Sequence, residues 1–178
     1  MTPRVVLRPP AEGDRAEFVE RLAASVELHD HWLEPGEPGP WFERLLTRNT
    51  TASDRSLLVC DADEGSVVGV MNLSQIVMGP LRSAFLGYYA FEPFAGRGYM
   101  RAAMPLLLRY AFEDLGLHRL QANVQPANDA SIALVRAAGF RLEGLSPRYL
   151  FIRGEWRDHE QWVALADDEP PPAVRDAP

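Results

Sequence analysis

The chain contains no lysine: all 18 of its basic residues are arginine. Without a lysine amine no Schiff base can form, so the sequence excludes pyridoxal phosphate as a covalently held cofactor. It also excludes the phosphate-binding loop GxxxxGK(S/T), because the lysine of that loop contacts the bound phosphates. Two enzyme classes are therefore ruled out before any motif is considered.

Cysteine, long apolar runs and positive charge are also scarce. Cys60, the only cysteine, lies in the apolar stretch LLVCD and is predicted to be buried rather than to act as a nucleophile or ligand. No apolar run approaches the ~18 residues of a membrane span, and the opening MTPRVVLRPP lacks a signal-peptide pattern, which favours a cytoplasmic location. The net charge of −7 argues against nucleic acid as the main partner and is compatible with a cationic substrate.

What is present predicts one α/β domain with a short tail. A length of 178 residues and an apolar content of 47% suffice for a single domain with its own core. Strand and helix patterns alternate in the second half of the chain, which predicts a partly parallel sheet. The domain is expected to span residues 1–166, and the acidic, proline-rich residues 167–178 are expected to be disordered.

Two glycines precede a long predicted helix, in the stretch FAGRGYMR (Phe94–Arg101). Arg97 and Arg101 place positive charge at the start of this helix and Glu113-Asp114 place negative charge at its end, the reverse of what the helix dipole favours. Free N–H groups at a helix N-terminus bind anions, and glycine allows an anion to approach the backbone closely. The stretch therefore predicts an anion site; exposed charges without a function are the alternative.

A dinucleotide site fits this turn poorly. The fingerprint GxGxxG would need a glycine where Arg101 stands, and the following strand HRLQANV ends without the acid that would hold a ribose.

Three motifs in order are similar to those of the GNAT superfamily of N-acetyltransferases. They are Ala95–Met100 at the glycine turn, Asn128–Ser131 (NxxS) and Gly139-Phe140 (GF). Glu143-Gly144 and the closing GEWRDHEQW resemble the RimJ/RimL subgroup, which acetylates protein N-termini. The resemblance covers Leu7 to Leu165.

Two residues depart from the family pattern. Ala95 stands where the family has Gln or Arg, and Met100 stands where it has a small residue. Neither blocks the binding of a pyrophosphate by the backbone, but Met100 is expected to crowd the turn.

The resemblance implies the fold and the cosubstrate. The fold would be a single α/β (α+β) domain of the GNAT type, with a mixed, mostly antiparallel sheet of about seven strands and about four flanking helices. The sheet would splay open between its fourth and fifth strands, and acetyl-CoA would enter the gap as cosubstrate, without a metal. The residues expected to bind it are Tyr89, Ala90, Phe91, Gly96, Arg97, Gly98, Tyr99, Met100, Arg101, Asn128 and Ser131.

Amine acetylation needs a deprotonated amine, a stabilised oxyanion and a proton for the departing thiolate. The family implies direct attack in a ternary complex, with a backbone N–H from Tyr89 to Phe91 polarising the thioester carbonyl. Ser131 is the candidate acid, and Tyr149 is the alternative. Glu92 is the candidate base, directly or through water, unless it is only a solvated loop charge. In the subgroup an acid precedes the tyrosine of this region, whereas here Arg148 stands there.

Further candidates flank the cleft. His29, His31 and Trp32 precede the break EPGEPGP, and the resemblance places this region at the acceptor side, with His31 and Trp32 as candidate substrate-binding residues. The HxH pattern is too short to indicate a metal site, and solvated loop histidines are the alternative. Asn128 is predicted to cap the helix beginning at Asp129, and in the family it also contacts the pantetheine arm.

The leading hypothesis is an acetyl-CoA-dependent N-acetyltransferase that acts on a protein N-terminal α-amino group. A small-molecule amine, such as an antibiotic or a polyamine, is the alternative acceptor. A CoA-binding sensor or interaction module with little or no turnover is the alternative outside the enzymes. The expected partners are acetyl-CoA and an amine acceptor, without nucleic acid or membrane, and the oligomeric state is left open, a homodimer included.

Overall fold

The computed structural model describes residues 2–34 and 36–168. In that part of the chain seven strands form one sheet: β1 (Val5–Arg8), β2 (Arg55–Asp61), β3 (Val67–Val77), β4 (Ser83–Ala90), β5 (Arg119–Val124), β6 (Arg141–Ile152) and β7 (Glu155–Leu165). The helices of the same ranges are α1 (Arg15–Ala24), α2 (Val26–His29), α3 (Pro38–Arg48), α4 (Tyr99–Arg109) and α5 (Asp129–Ala137). None of these described helices is long and apolar enough to cross a bilayer.

The helical spacing of residues 11–33 predicts one helix before the EPGEPGP break, but the structure divides it at Ser25. The Ser25 hydroxyl is fully buried and donates to the Arg21 carbonyl oxygen at 2.7 Å, while its oxygen accepts from the Glu92 N–H at 2.9 Å. A serine that bonds to the backbone in this way competes with the regular helical pattern. The break turns the α2 segment toward the end of β4, and it accounts for five helices in the described residues where about four were predicted.

The sheet has the strand order β1-β2-β3-β4-β5-β7-β6, and β4 with β5 is its parallel pair. These two strands pair only between Ser83–Leu86 and Arg119–Ala122, although β4 continues to Ala90 and β5 to Val124. Their carboxyl ends therefore diverge. The predicted mixed sheet with a splay between the fourth and fifth strands is confirmed.

Apolar side chains fill both faces of the sheet. Because strand side chains alternate between faces, Leu86 of β4 packs with α4 and α5, whereas Tyr89 and Phe91 pack against Phe18 of α1 and Phe42 of α3. Cys60 belongs to the second cluster and is buried, as predicted. The splay thus opens between two packed layers, and each layer can contribute a wall to it.

The pattern of residues 140–166 predicts two closing strands around Arg153-Gly154, and β6 and β7 form this hairpin. Both turn residues have left-handed backbone conformations, with φ of 53° and 81°, as a two-residue hairpin turn requires. Beyond β7, the Asp168 carboxylate accepts from the Leu165 N–H at 2.8 Å and pairs with Arg141 at 2.7 Å. Residues 169–178, the rest of the predicted tail, lie outside the described residues.

Candidate active site

A cleft of about 370 Å³ opens at the splay between β4 and β5. The predicted site residues that line it are Trp32, Tyr89, Ala90, Gly96, Gly98, Tyr99, Met100, Arg101, Asn128 and Ser131. Those that do not line it are His31, Phe91, Glu92, Arg97 and Tyr149. The wall also includes Tyr88 and His29, which the sequence reasoning did not select as site residues.

The glycine turn leads directly into α4 and leaves its first N–H groups free. Gly96 and Gly98 both have left-handed backbones, with φ of 74° and 86°, and Gly98 is the N-cap of α4. No side chain caps this helix, and within the described ranges the N–H groups of Gly98 to Arg101 have no hydrogen-bond partner. Nothing lies within 4 Å of the place where a Cβ on Gly96 would stand. This is a geometry in which an anion can approach several donors at once.

Two arginines beside this turn have no ion pair in the described chain, and a tyrosine hydrogen bond fixes the start of α4. Arg97 and Arg101 are exposed, and neither forms an ion pair with any residue of the described chain. The Tyr99 hydroxyl donates to Asp61 Oδ2 at 2.7 Å, which ties the start of α4 to the turn between β2 and β3. This hydrogen bond holds the pKa of the Asp61 carboxyl below its ordinary value.

A backbone N–H from Tyr89 to Phe91 was predicted to polarise the thioester carbonyl, and only the N–H of Ala90 faces the gap. The Phe91 N–H donates to the Val68 carbonyl oxygen at 2.9 Å, so it is not free for a thioester. Because hydrogen-bonded pairs alternate along antiparallel strands, Tyr89 also faces β3, whereas Ala90 faces the gap. The Ala90 carbonyl oxygen lies 2.8 Å from His29 Nε2. The prediction for Phe91 is thereby corrected, and the Ala90 N–H is the donor that the geometry leaves available.

Ser131 meets Tyr88 rather than Tyr149. The Ser131 and Tyr88 hydroxyl oxygens share a hydrogen bond of 2.5 Å at the wall of the cleft. Burial raises the pKa of Tyr88 to about 12, although the bond to Ser131 opposes this shift. Tyr149 instead lies on β6 with its ring 6.0 Å from that of His159, outside the cleft. The alternation of β4, which places Tyr88 on the same face as Leu86, was the sequence signal that could have identified it.

Asn128 caps α5 as predicted. Its Oδ1 accepts from the Ser131 N–H at 3.0 Å. Its Nδ2 makes no hydrogen bond to the described residues, and the residue lines the cleft. The amide therefore keeps a free donor beside the gap, and the predicted contact with pantetheine remains a prediction.

The acceptor side of the cleft is formed by the segment around α2. His29 and Trp32 line it, whereas His31 is exposed and offers its carbonyl oxygen to Gln125 Nε2 at 3.3 Å. Glu92 is exposed and lies outside the wall. The described wall contains no acidic side chain, and the described chain contains no group of three or more His, Cys, Asp or Glu residues placed to hold a metal.

Comparison with known proteins places the chain in one family. The family described as acetyltransferase (GNAT) domain matches residues 4–141. The ribosomal protein uS5-alanine N-acetyltransferase of Escherichia coli is 33% identical over 170 residues, which cover 89% of this chain and 86% of that protein. The probable N-acetyltransferase YjcK of Bacillus subtilis is 37% identical over 61% of this chain, and the match spans 60% of that protein.

Solved structures agree with this assignment. Mycobacterium smegmatis RimJ in complex with CoA-disulfide superposes with a TM-score of 0.82 at 31% identity, covering 92% of this chain and 82% of that one. Spermidine N-acetyltransferase from Vibrio cholerae, in complex with CoA and spermine, superposes with a TM-score of 0.78 at 26% identity, covering 91% and 95%. The splayed sheet, the glycine turn and these likenesses lead to the same conclusion: the chain belongs to the GNAT acetyltransferase family, as an N-acetyltransferase that resembles the RimJ type.

Proposed function

We propose that this protein transfers the acetyl group of acetyl-CoA to the α-amino group of a polypeptide. The observation that carries the choice of acceptor is the absence of acidic side chains from the described wall of the cleft. A polyamine has several positive charges, and a buried cation needs a partner of opposite charge. A polypeptide N-terminus has a single amine at the reaction centre, followed by neutral backbone groups.

Two acids of the segment after α2 are already engaged. Asp30 Oδ1 lies 3.0 Å from Arg153 Nη1, and Glu34 Oε2 accepts from the Arg153 N–H at 2.6 Å. Both contacts join the segment after α2 to the turn between β6 and β7. This side presents Trp32 and Leu33 to the cleft, a surface that suits a small or apolar first residue.

The other wall supports the cosubstrate. The free N–H groups of Gly98 to Arg101 would donate to the pyrophosphate oxygens of acetyl-CoA, with Arg101 adding charge from the wall itself. Asn128 Nδ2 would donate to a carbonyl of the pantetheine arm. The complex of the related M. smegmatis RimJ with CoA-disulfide supports this assignment.

The proposed reaction is direct attack in a ternary complex. The Ala90 N–H would donate to the thioester oxygen and stabilise the oxyanion that forms there. Ser131, with Tyr88 behind it, would face the departing sulfur. A phenol with a pKa of about 12 keeps its proton beside a thiolate, whose conjugate acid is stronger. The pair would therefore stabilise the sulfur by hydrogen bonding more than by full proton transfer.

A small-molecule amine is the second candidate acceptor. It is favoured by the likeness to the V. cholerae spermidine N-acetyltransferase, whose structure contains CoA and spermine. In sequence, the E. coli uS5-alanine enzyme is 33% identical and the V. cholerae spermidine N(1)-acetyltransferase is 25% identical, which favours the polypeptide.

The test is CoA release from acetyl-CoA with short peptides that begin with alanine or serine. The same peptides with a blocked N-terminus are the matched control, and spermidine and an aminoglycoside represent free amines. Because the chain has no lysine, its own side chains offer no primary amine that could produce a false signal. We expect turnover of the free peptides alone. Turnover of the amines alone would select the second candidate, and binding of acetyl-CoA without any turnover would select a CoA-binding module.

A further inference from the structure

We propose that His29 is the general base that takes a proton from the acceptor ammonium group. It is the last residue of α2 and lines the cleft, whereas Glu92, the base predicted from sequence, is exposed and outside the wall. The inference rests on N-acetyl transfer, which the family shares, and not on the class of acceptor.

The hydrogen bond of His29 determines its tautomer. Nε2 lies 2.8 Å from the Ala90 carbonyl oxygen, which can only accept, so Nε2 carries the hydrogen and Nδ1 carries the lone pair. In the described residues the buried polar side-chain atoms without a partner are Arg21 Nε, Arg48 Nε and the Tyr89 hydroxyl oxygen. Nδ1 has no partner among the described residues and is not in that set, so it is accessible to solvent on a residue that lines the cleft.

The packing holds the imidazole ring at the reaction centre. Its centroid lies 5.6 Å from that of Tyr89 in an edge-on contact and 6.4 Å from that of Phe91. Its hydrogen bond is to Ala90, the residue whose N–H faces the gap where the thioester would lie. A base and an oxyanion donor are thus held by one residue of β4, and an amine attacking that thioester must pass beside His29.

The charge state suits a base near neutral pH. Burial lowers the pKa of His29 from its ordinary value of 6.5, against the smaller effects of the Ala90 carbonyl and of Glu92. Around it, Tyr89 of β4 is neutral because burial raises the pKa of its phenol. Asp30, next in the chain, is paired with Arg153. His29 is therefore unprotonated at pH 7 and ready to accept.

The proton and electron movements balance with this assignment. One proton passes from the acceptor ammonium nitrogen to Nδ1, which forms an imidazolium and a neutral amine. The amine lone pair then forms the N–C bond to the thioester carbonyl carbon. As the C–S bond breaks and sulfur leaves with its electron pair, the nitrogen of the new amide loses its second proton to solvent. The thiolate takes up one proton from solvent and the imidazolium returns one, so the reaction releases one proton overall.

The test compares His29→Gln with Glu92→Gln. The glutamine amide at position 29 can still donate to the Ala90 oxygen but cannot act as a base. We expect kcat at pH 7 to fall about 100-fold in His29→Gln, with acetyl-CoA affinity and melting temperature retained, and to stay near the wild-type value in Glu92→Gln. The pH profile should change too. Wild-type kcat should be level above pH 6.5, whereas in His29→Gln it should rise about tenfold per pH unit toward the pKa of the acceptor amine, which is about 8 for an α-amino group.

A second variant separates chemistry from structure. His29→Ala leaves a space that free imidazole can enter, so added imidazole should raise its rate in proportion to concentration. The assay uses whichever amine the wild-type protein acetylates, so a wrong acceptor proposal would not decide it. The inference is overturned if His29→Gln keeps the wild-type profile, if Glu92→Gln loses it instead, or if imidazole leaves His29→Ala unchanged.

Discussion

The sulfur of Met100 lies directly against Gly69, so that a Cβ on that glycine would stand 2.8 Å from the sulfur. The same Cβ would stand 2.7 Å from the Tyr89 carbonyl oxygen of the neighbouring strand. Met100 was expected to crowd the glycine turn because the family has a small residue there. Its side chain instead occupies the space that Gly69 leaves on β3, and the free N–H groups of the turn stay accessible.

Gly69→Ala should therefore disturb both stability and cosubstrate binding. The added methyl overpacks the contact with Met100, which costs roughly 1–3 kcal/mol, and moves the first turn of α4. Met100→Ala should rescue part of this loss, because it removes the sulfur contact but not the contact with the Tyr89 carbonyl oxygen. Urea unfolding and acetyl-CoA titration of the two single variants and the double variant measure the coupling. Strictly additive effects would show that the two residues are independent.

Gly98→Val should abolish acetyl-CoA binding. Valine opposes the φ of 86°, and its branched side chain would stand beside the N–H groups that are proposed to bind the pyrophosphate. Gly79→Val is the matched control, because Gly79 has a φ of 73°, lies outside the cleft and has nothing within 4 Å of its Cβ position. Both variants should lose roughly 1–2 kcal/mol of stability to backbone strain. Calorimetric titration should show lost affinity in Gly98→Val alone; equal affinities would limit Gly98 to a structural role.

Substitutions of Asn128 separate its two roles. Aspartate caps a helix about as well as asparagine, so Asn128→Asp should keep the melting temperature, since Oδ1 still accepts from the Ser131 N–H. An ionised carboxylate cannot donate to pantetheine, so acetyl-CoA affinity should fall clearly. Asn128→Ala should lose affinity and also about 1 kcal/mol of capping stability. An unchanged affinity in Asn128→Asp would reduce this residue to a helix cap.

Tyr99→Phe should make the protein less sensitive to acid. The Tyr99 hydroxyl is the first cause of the lowered pKa of Asp61, ahead of the N–H groups of Glu64 and Asp63. A carboxyl with a lowered folded-state pKa stabilises the fold above its ordinary value of 3.8 and loses that contribution as pH falls through the lowered value. The fall in unfolding free energy between about pH 4 and pH 2 should therefore be smaller in Tyr99→Phe. Tyr149→Phe is the control. The Tyr149 hydroxyl has no partner in the described chain, so this variant should match wild type.

Local features of this protein could be predicted from the sequence because they depend on neighbouring residues. The turn at Arg153-Gly154, the cap at Asn128 and the glycine turn before α4 each follow from the conformations that a few adjacent residues allow. The order of the motifs then implied the splayed sheet, which the pairing of β4 with β5 confirms.

The identity of the residues that meet inside the cleft depended on the tertiary structure. Tyr88 and Ser131 are 43 positions apart, and His29 and Ala90 are 61 apart, so no local pattern could pair them. Sequence reasoning selected Tyr149 and His31, which do not line the cleft. Strand alternation decides which tyrosine faces the gap. The break at Ser25 and the packing of α2 on β4 decide which histidine faces it, because they set the direction of its side chain.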